Sequence, residues 1–437
     1  MIERSLTHFS LNSQGDSSVH LLASNYVESV SKNIQYLAEE RVKSLTPKVH
    51  RVLDAFASER LGTHHFSSLT GYAHGDQGRE VIDRIFARVL GAEKAAVRLQ
   101  IVSGTHAIAS ALFGVLRPGD CLLSVTGKPY DTLEEVIGKR GSGKGSLSEF
   151  GISYQEINVI KDNIVNYEKL AFALKNKPRM VFIQRSCGYS WRPALSVHLI
   201  KDICNFIHEI DLDIVCFVDN CYGEFVEEME PCEVGADLIA GSLIKNLGGT
   251  IVPTGGYLAG KAELVEKSCC RLTSPGIGSQ GGTGFDLHRL VLQGLFLSPQ
   301  MVSEALLGAD LVCAVFHELG FPVSPQLGEH RSDVIQSIQF NNPEALRVAC
   351  KSLQLSSPVG SYLDPVPASM PGYESDLLMA GGTFIDGSTS ELSADAPLRP
   401  PYNLFVQGGT SRSHVEIALI RLLTDLFKAG FITLPQT

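Results

Sequence analysis

Residues 217–256 read FVDNCYGEFVEEMEPCEVGADLIAGSLIKNLGGTIVPTGG. The apolar run 214–218 ends at Asp219, and a second run, 238–241, leads through Ser242 to Lys245. Asn246, Leu247 and the pair Gly248 and Gly249 follow. Each run has the length and branched aliphatic content of a buried strand. An ammonium at such a strand end is costly unless it has work to do there. Glycines beside it let the backbone approach a bulky ligand closely. Two plainer readings stand next to this one: Lys245 as a surface lysine before a turn, and Asp219 as a helix N-cap.

At 437 residues the chain exceeds one minimal domain and can bury a large core. Hydrophobic residues make up 44% and charged residues 19%, an ordinary globular balance. A net charge of −10 argues against nucleic acid as a partner. No run of eighteen apolar residues exists, so no membrane span is expected. The first residues lack the marks of a secretory or transit signal. The 10 cysteines form no C-x-x-C pair and sit mostly in apolar runs, which suits buried thiols in a reducing cytoplasm. A cytoplasmic location is therefore expected, without a metal site.

Residues 1–20 are polar and expected to be loose. From 21 to 61 apolar residues including Val27, Val30, Ile34, Leu37 and Val42 recur at helical steps, with Pro47 expected to divide the run into two helices. The Gly- and His-rich loop 62–80 holds adjacent His64 and His65, a poor spacing for a metal. A helix over 81–90 follows. Strands are expected over 95–99, 121–125, 153–159, 180–184, 214–218, 238–241 and 251–259, with helices over 107–116, 133–137, 167–175 and 197–210 between most of them. That alternation predicts an α/β fold: a mostly parallel, seven-stranded sheet with helices on both faces. Ligands of such sheets gather at the carboxyl ends of strands, where Asp219, Ser242 and Lys245 all fall. After a helix over 301–319, a smaller α+β unit is expected, with strands 334–340 and 379–385, helices 344–353 and 415–429, and a Pro- and Gly-rich loop over 356–372. The expected division is a helical arm over 1–62, a large α/β domain over 63–320 and a small C-terminal domain over 321–437.

Three further stretches converge on the same sheet edge. Ser103, Gly104, Thr105 and His106 open an apolar helix, and free N–H groups at a helix N-terminus suit a phosphate, although a plain N-cap reads the same way. Tyr130 follows a strand end and a proline, a place for a ring stacked on a flat cofactor or for a core tyrosine. The turn after 180–184 carries Arg185, Ser186, Tyr189, Trp191 and Arg192, polar groups within reach of a cofactor or substrate. Two glycine-rich stretches are decoys. Residues 139–145 lack P-loop spacing, and 276–281 fits G-x-G-x-x-G but follows a helix. One cofactor accounts for the anchors together: pyridoxal phosphate, joined to Lys245 as an imine, with Asp219 keeping its ring nitrogen protonated.

The motifs TGYAHGDQGRE (70–80), SGTHAIASALFG (103–114), PYDTLEEVIG (129–138), VDNCYGEFVE (218–227), GSLIKNLGG (241–249), ELSADAPLRPPY (391–402) and QGGT (407–410) resemble fold-type I pyridoxal-phosphate enzymes. Within them the chain resembles the methionine gamma-lyase-like group often labelled aluminium resistance protein, related to cystathionine lyases. The resemblance covers nearly everything from residue 60 onward. It departs at Leu247, where the group usually has proline, and at His74 and Arg412, where aromatics are usual. It implies a transferase-like fold, a homodimer or homotetramer with active sites at subunit interfaces, and a carbon–sulfur lyase acting by β- or γ-elimination on an amino acid such as cystathionine, cysteine or methionine. An aminotransferase uses the same anchors, and a non-catalytic cofactor-binding scaffold is the third reading. In the lyase reading Lys245 and Tyr130 are catalytic. Gly104, Thr105 and Ser242 hold the phosphate, with Tyr72 reaching it from a neighbouring subunit. Arg399, fixed by a proline pair and placed by the resemblance, is expected to grip the substrate's carboxylate, with Arg185 assisting and Arg412 the weaker choice.

Overall fold

The structure, a computed structural model, describes residues 14–435 except 162, 371, 372 and 374. The large sheet has seven strands: β1 (Lys94–Arg98), β2 (Cys121–Ser124), β3 (Ser153–Glu156), β4 (Met180–Gln184), β5 (Val215–Asp219), β6 (Leu238–Ser242) and β7 (Gly256–Gly260). Their order is β1-β7-β6-β5-β4-β2-β3. Only β7 runs antiparallel to its neighbours, β1 and β6. Every residue of β4 to β7 is buried, as strands covered on both faces require. The expected α/β architecture, a mostly parallel seven-stranded sheet, is therefore present. The last strand starts later than position 251, because Pro253 and Gly255, the latter with φ +113, hold that stretch in a turn.

Eleven helices accompany the strands among the described residues: α1 (Gln14–Asn33), α2 (Gln35–Ser58), α3 (Gln77–Val89), α4 (Gly104–Val115), α5 (Asp131–Ile137), α6 (Tyr167–Leu174), α7 (Val197–Ile210), α8 (Ala262–Leu272), α9 (His288–Glu318), α10 (Pro343–Leu355) and α11 (Arg412–Lys428). Several expectations need correction here. Residues 14–20 are helical; those before 14 lie outside the described residues. The arm is two helices, but they part at Ile34, while Pro47 lies within α2. The α2 face bearing Leu37, Val52 and Ala55 is buried, and that packing outweighs the single backbone bond a proline removes. Val42 is 59% exposed and does not belong to the stripe. Likewise α9 begins at His288 and continues through Pro299.

The second sheet has five strands where two were expected: β8 (Val323–Ser324), β9 (Ile335–Gln339), β10 (Leu377–Ala380), β11 (Ser393–Pro397) and β12 (Asn403–Gln407), ordered β8-β9-β12-β11-β10. The sequence of β11, SADAP, is wholly buried, yet it lacks both alternation and branched residues. β10 stops at Ala380 instead of running to 385. Beyond it Gly382 packs against 357–359, its carbonyl accepting from Val359 N–H at 3.1 Å, so close that a Cβ would lie 1.8 Å from the Val359 carbonyl oxygen.

By length and hydropathy α9 could cross a membrane. Over half of its apolar window is buried inside the protein, because it packs into the cores of both sheets. Leu292, Leu295, Val302 and Leu306 join the core of the large sheet, and Leu311, Val315 and Phe316 join that of the small one. Leu311→Ala is expected to cost about 2–5 kcal/mol, read as a lower denaturant midpoint. Ile417→Ala, at a position 61% exposed, is expected to change stability by no more than about 0.5 kcal/mol.

Candidate active site

Parallel pairing of β5 with β6 sets Asp219 opposite Ala240, so Asp219 and Ser242 end neighbouring strands at one edge. The N-terminus of α4 and the start of α5 reach the same edge. Together they enclose a cavity of about 220 Å³. Its walls include Gly104, Thr105, Tyr130, Asp219, Ser242 and Lys245. These were expected on sequence grounds at one ligand, and the structure brings them together. Ser186 and Tyr189, from the turn after β4, line it too.

Two backbone features shape the cavity. Ser103 caps α4, its hydroxyl accepting from His106 N–H at 3.1 Å, while the N–H groups of Gly104 and Thr105 have no hydrogen-bond acceptor among the described residues. A Cβ on Gly104 would approach Cys221 Sγ to 3.1 Å, so a side chain there would fill the space. On the opposite side, Lys245 precedes a tight turn, Asn246–Gly248. A Cβ on Gly248 would lie 1.7 Å from the Leu243 carbonyl oxygen, so only glycine permits this turn.

Electrostatically, the pair at the cavity floor is held against its own desolvation. Burial pushes the Asp219 carboxyl above its ordinary range, and Lys245 and the Cys221 N–H, 3.1 Å from Oδ1, pull it back. Burial alone would depress Lys245. The Tyr222 phenol, Cys221 and Asp219 outweigh burial and hold the ammonium above its usual value. Lys245 Nζ lies 3.6 Å from the centre of the Tyr222 ring, a cation–π contact. The Tyr222 hydroxyl is itself pushed up by burial to about 12. Burial, with Asp219 nearby, likewise raises the Tyr130 phenol, whose hydroxyl donates to Thr105 Oγ1 at 3.1 Å.

Several lining groups escaped the sequence reading: Thr132, Gln184, Cys221, Tyr222, Ile244 and Tyr373. Tyr222 was within reach of inference, since it stands three residues after Asp219 in a motif already singled out. Its φ of +71 is rare for a bulky residue and marks strain of the kind found at functional sites. Asp395 stands in the motif at 391–402, but nothing local in that run points to a tyrosine 206 residues earlier. It lies in β11 and accepts from the Tyr189 hydroxyl at 2.9 Å, which fixes that ring in the cavity wall.

Other expected residues lie elsewhere. Tyr72 is 79% exposed and is not in the cavity wall; its ring stacks on His74. Trp191 is also outside the lining. Arg412 donates from Nη2 to the Ser31 carbonyl at 2.8 Å, tying α11 to α1. No arginine is among the cavity-lining residues described. Arg399 follows β11, where Tyr402 N–H donates to its carbonyl at 2.8 Å. One group of metal-type donors exists among the described residues, His208, Cys216 and Asp237. Asp237 there already receives the Lys261 ammonium at 2.7 Å, His208 at 2.9 Å and the Cys216 N–H at 2.7 Å, so it ties the opposite edge of the sheet together.

Arg185 needs correction. Its side chain is fully buried behind β5, donating to Asn220 Oδ1 at 2.7 Å and Glu227 Oε2 at 2.8 Å, with Glu230 at 3.6 Å. A guanidinium matched by two carboxylates is not available to a substrate. Arg185→Ala is expected to cost about 3–5 kcal/mol by stranding those buried acids, seen in thermal unfolding of the chain without added ligand.

The methionine gamma-lyase family model matches residues 23–427. A carbon–sulfur lyase involved in aluminium resistance from Clostridium novyi is 44% identical, with a TM-score of 0.89 over 94% of this chain and 98% of that one. The Bacillus subtilis protein YnbB is 48% identical over 383 residues, 87% of this chain and 91% of its own length. At 16% identity and a TM-score of 0.61, the pyridoxal-5'-phosphate-dependent protein YhfS from Escherichia coli shares the fold across 89% of this chain and 97% of its own. With the match running from within α1 through almost all of the last helix, the chain belongs to the methionine gamma-lyase family.

Proposed function

We propose that the protein is a pyridoxal-phosphate-dependent carbon–sulfur lyase acting by β- or γ-elimination on a sulfur-containing amino acid such as cystathionine, cysteine or methionine. The observation that carries this reading is a lysine and a buried aspartate facing one cavity beneath the open N-terminus of α4. The residues fit the cofactor. Unpaired N–H groups meet a phosphate, the glycine at 104 leaves the space a side chain would fill, and a carboxylate with Lys245 opposite suits a pyridinium.

Pyridoxal phosphate, when bound, supplies a sink for the electron pair left at the substrate's α-carbon. In this reading Gly104, Thr105 and Ser242 hold the phosphate. Asp219 keeps a proton on the ring nitrogen. Lys245 would be the residue that holds the cofactor, and its Nζ the base placed to take the α-proton. Tyr130, in the cavity wall, would offer its ring face to the cofactor, and its phenol, kept protonated by burial, would be the donor of a proton to the leaving sulfur.

We further propose a homodimer or homotetramer. Leu69, Tyr72, Val102 and Phe285 are 47%, 79%, 72% and 59% exposed. The segments carrying three of them are tied together: Gly282 N–H donates to the Tyr72 carbonyl at 3.2 Å, and the Thr283 hydroxyl to the Leu69 carbonyl at 2.7 Å. An apolar surface of this kind suits a second copy, with Tyr72 entering the neighbour's site.

Three outcomes are expected. Borohydride should fix added pyridoxal phosphate to Lys245 and not to another lysine, and Lys245→Ala should abolish release of keto acid, ammonia and thiol. Release of a keto acid without ammonia, dependent on an added keto acid, would identify an aminotransferase instead. Asp219→Asn should retain cofactor and lower kcat at least about tenfold, since a neutral partner forfeits at least about one pKa unit of pyridinium stabilisation; an unchanged kcat removes that role. Finally, Lys245→Ala and Tyr72→Ala subunits, each inactive alone, should regain activity when mixed, because hybrids contain one site with both residues intact. No recovery places Tyr72 outside the neighbour's site.

A further inference from the structure

A buried polar layer lies behind Asp219 and Lys245, and the proposed chemistry leaves it unused. At its centre Glu224, fully buried, accepts from the Tyr257 hydroxyl through Oε1 at 2.8 Å. Its backbone carbonyl accepts from Asn246 Nδ2 at 2.9 Å. Asn246 directly follows Lys245 and is 1% exposed. Two oxygens in this arrangement have no hydrogen-bond partner among the described residues: Glu224 Oε2 and Asn246 Oδ1. Both are acceptors as drawn, and buried acceptors without donors are rare in native proteins. One proton on the Glu224 carboxyl turns an orphaned acceptor into a donor, and Asn246, whose amide is already bonded to the Glu224 carbonyl, carries an oxygen that lacks one.

The surroundings favour that proton. Burial is the largest influence on Glu224, and Glu230 adds to it. Its own backbone N–H, the Tyr257 hydroxyl and Arg185 oppose them, and the carboxyl is pushed up to about 8. Cys221, the other titratable group facing it, is held as a neutral thiol by burial.

We propose that Glu224 is a positioning residue for Lys245: its neutral carboxyl and its backbone carbonyl together hold Asn246, and so fix the turn from which Lys245 reaches the cavity. The inference rests on Lys245 being the cofactor-bearing residue. It adds that the reach of this lysine depends on a protonated acid on the far side of the turn.

The test uses the full-length chain, added pyridoxal phosphate, borohydride, and peptide mapping of the label over time. Wild type labels at Lys245. Glu224→Gln, whose amide can donate as the acid does, labels within about twofold of that rate, while Glu224→Ala and Asn246→Ala label at least about tenfold more slowly. The ratio of wild-type to Glu224→Gln rates stays level from about pH 6 to about pH 7.5 and falls above about pH 8, as the wild-type acid ionises. A Glu224→Ala rate equal to wild type overturns the proposal. So does a rate ratio that is flat across the whole range, and this second arm stands even where the alanine variant fails to fold.

Stability gives a readout that needs no cofactor. A carboxyl whose folded pKa is raised contributes stability that is lost as pH climbs from its unfolded value towards its folded one. Glu224→Gln should therefore gain in thermal midpoint relative to wild type from about pH 5 to about pH 8, with a constant gap above. A gap constant from acid to alkaline pH shows an ionised Glu224 and overturns the proposal. Label on a lysine other than 245 in wild type would instead remove the functional reading, whatever the stability curves show.

Discussion

Keeping an ammonium and a carboxylate enclosed at one edge of a parallel sheet is the constraint on which this molecule is built. Neither charge tolerates loss of water alone. Each is held by what surrounds it: Asp219 by Lys245 and the Cys221 N–H, Lys245 by the Tyr222 ring and Asp219. Strand order delivers the two acid–base groups to neighbouring positions, because β5 and β6 run parallel and end together. The turn beyond β6 then brings the lysine back over the strand ends, and its geometry is why Gly248 cannot carry a side chain.

Around that pair the cavity wall is phenolic. Tyr130, Tyr189, Tyr222 and Tyr373 line it, and burial raises the hydroxyl of each above its ordinary range. The wall thus offers neutral hydroxyls and flat apolar faces, the mixture that suits an aromatic cofactor and a thioether side chain. The small unit contributes through Asp395, whose grip on Tyr189 makes one wall of the cavity depend on β11.

The large sheet was legible because its strands are continuous apolar runs separated by turn residues, a pattern set by burial on both faces. Asp219, Ser242, Lys245 and the α4 N-terminus were legible for the same reason: a polar residue at the end of such a run announces itself. The small sheet was half hidden. Its strand Ser393–Pro397 is built from small and polar residues, and its burial comes from neighbours far away in sequence. Arg185 misled because a strand-end arginine reads as available. Its partners Glu227 and Glu230 lie more than forty residues onward, and no local pattern shows that pairing. Pro47 misled in the other direction, since tertiary packing carried α2 past a local breaker.

The helix His288–Glu318 spans roughly 46 Å and contributes side chains to both cores. It acts as a shared beam. Melting either core would strip one half of the same helix of its packing, so the two units lose their independence as folding units and should unravel in a single cooperative step. The beam also limits motion of the small sheet: swinging it as a free body would have to bend a continuous, largely buried helix. The chain resembles a vise whose jaws are cast in one piece with the frame.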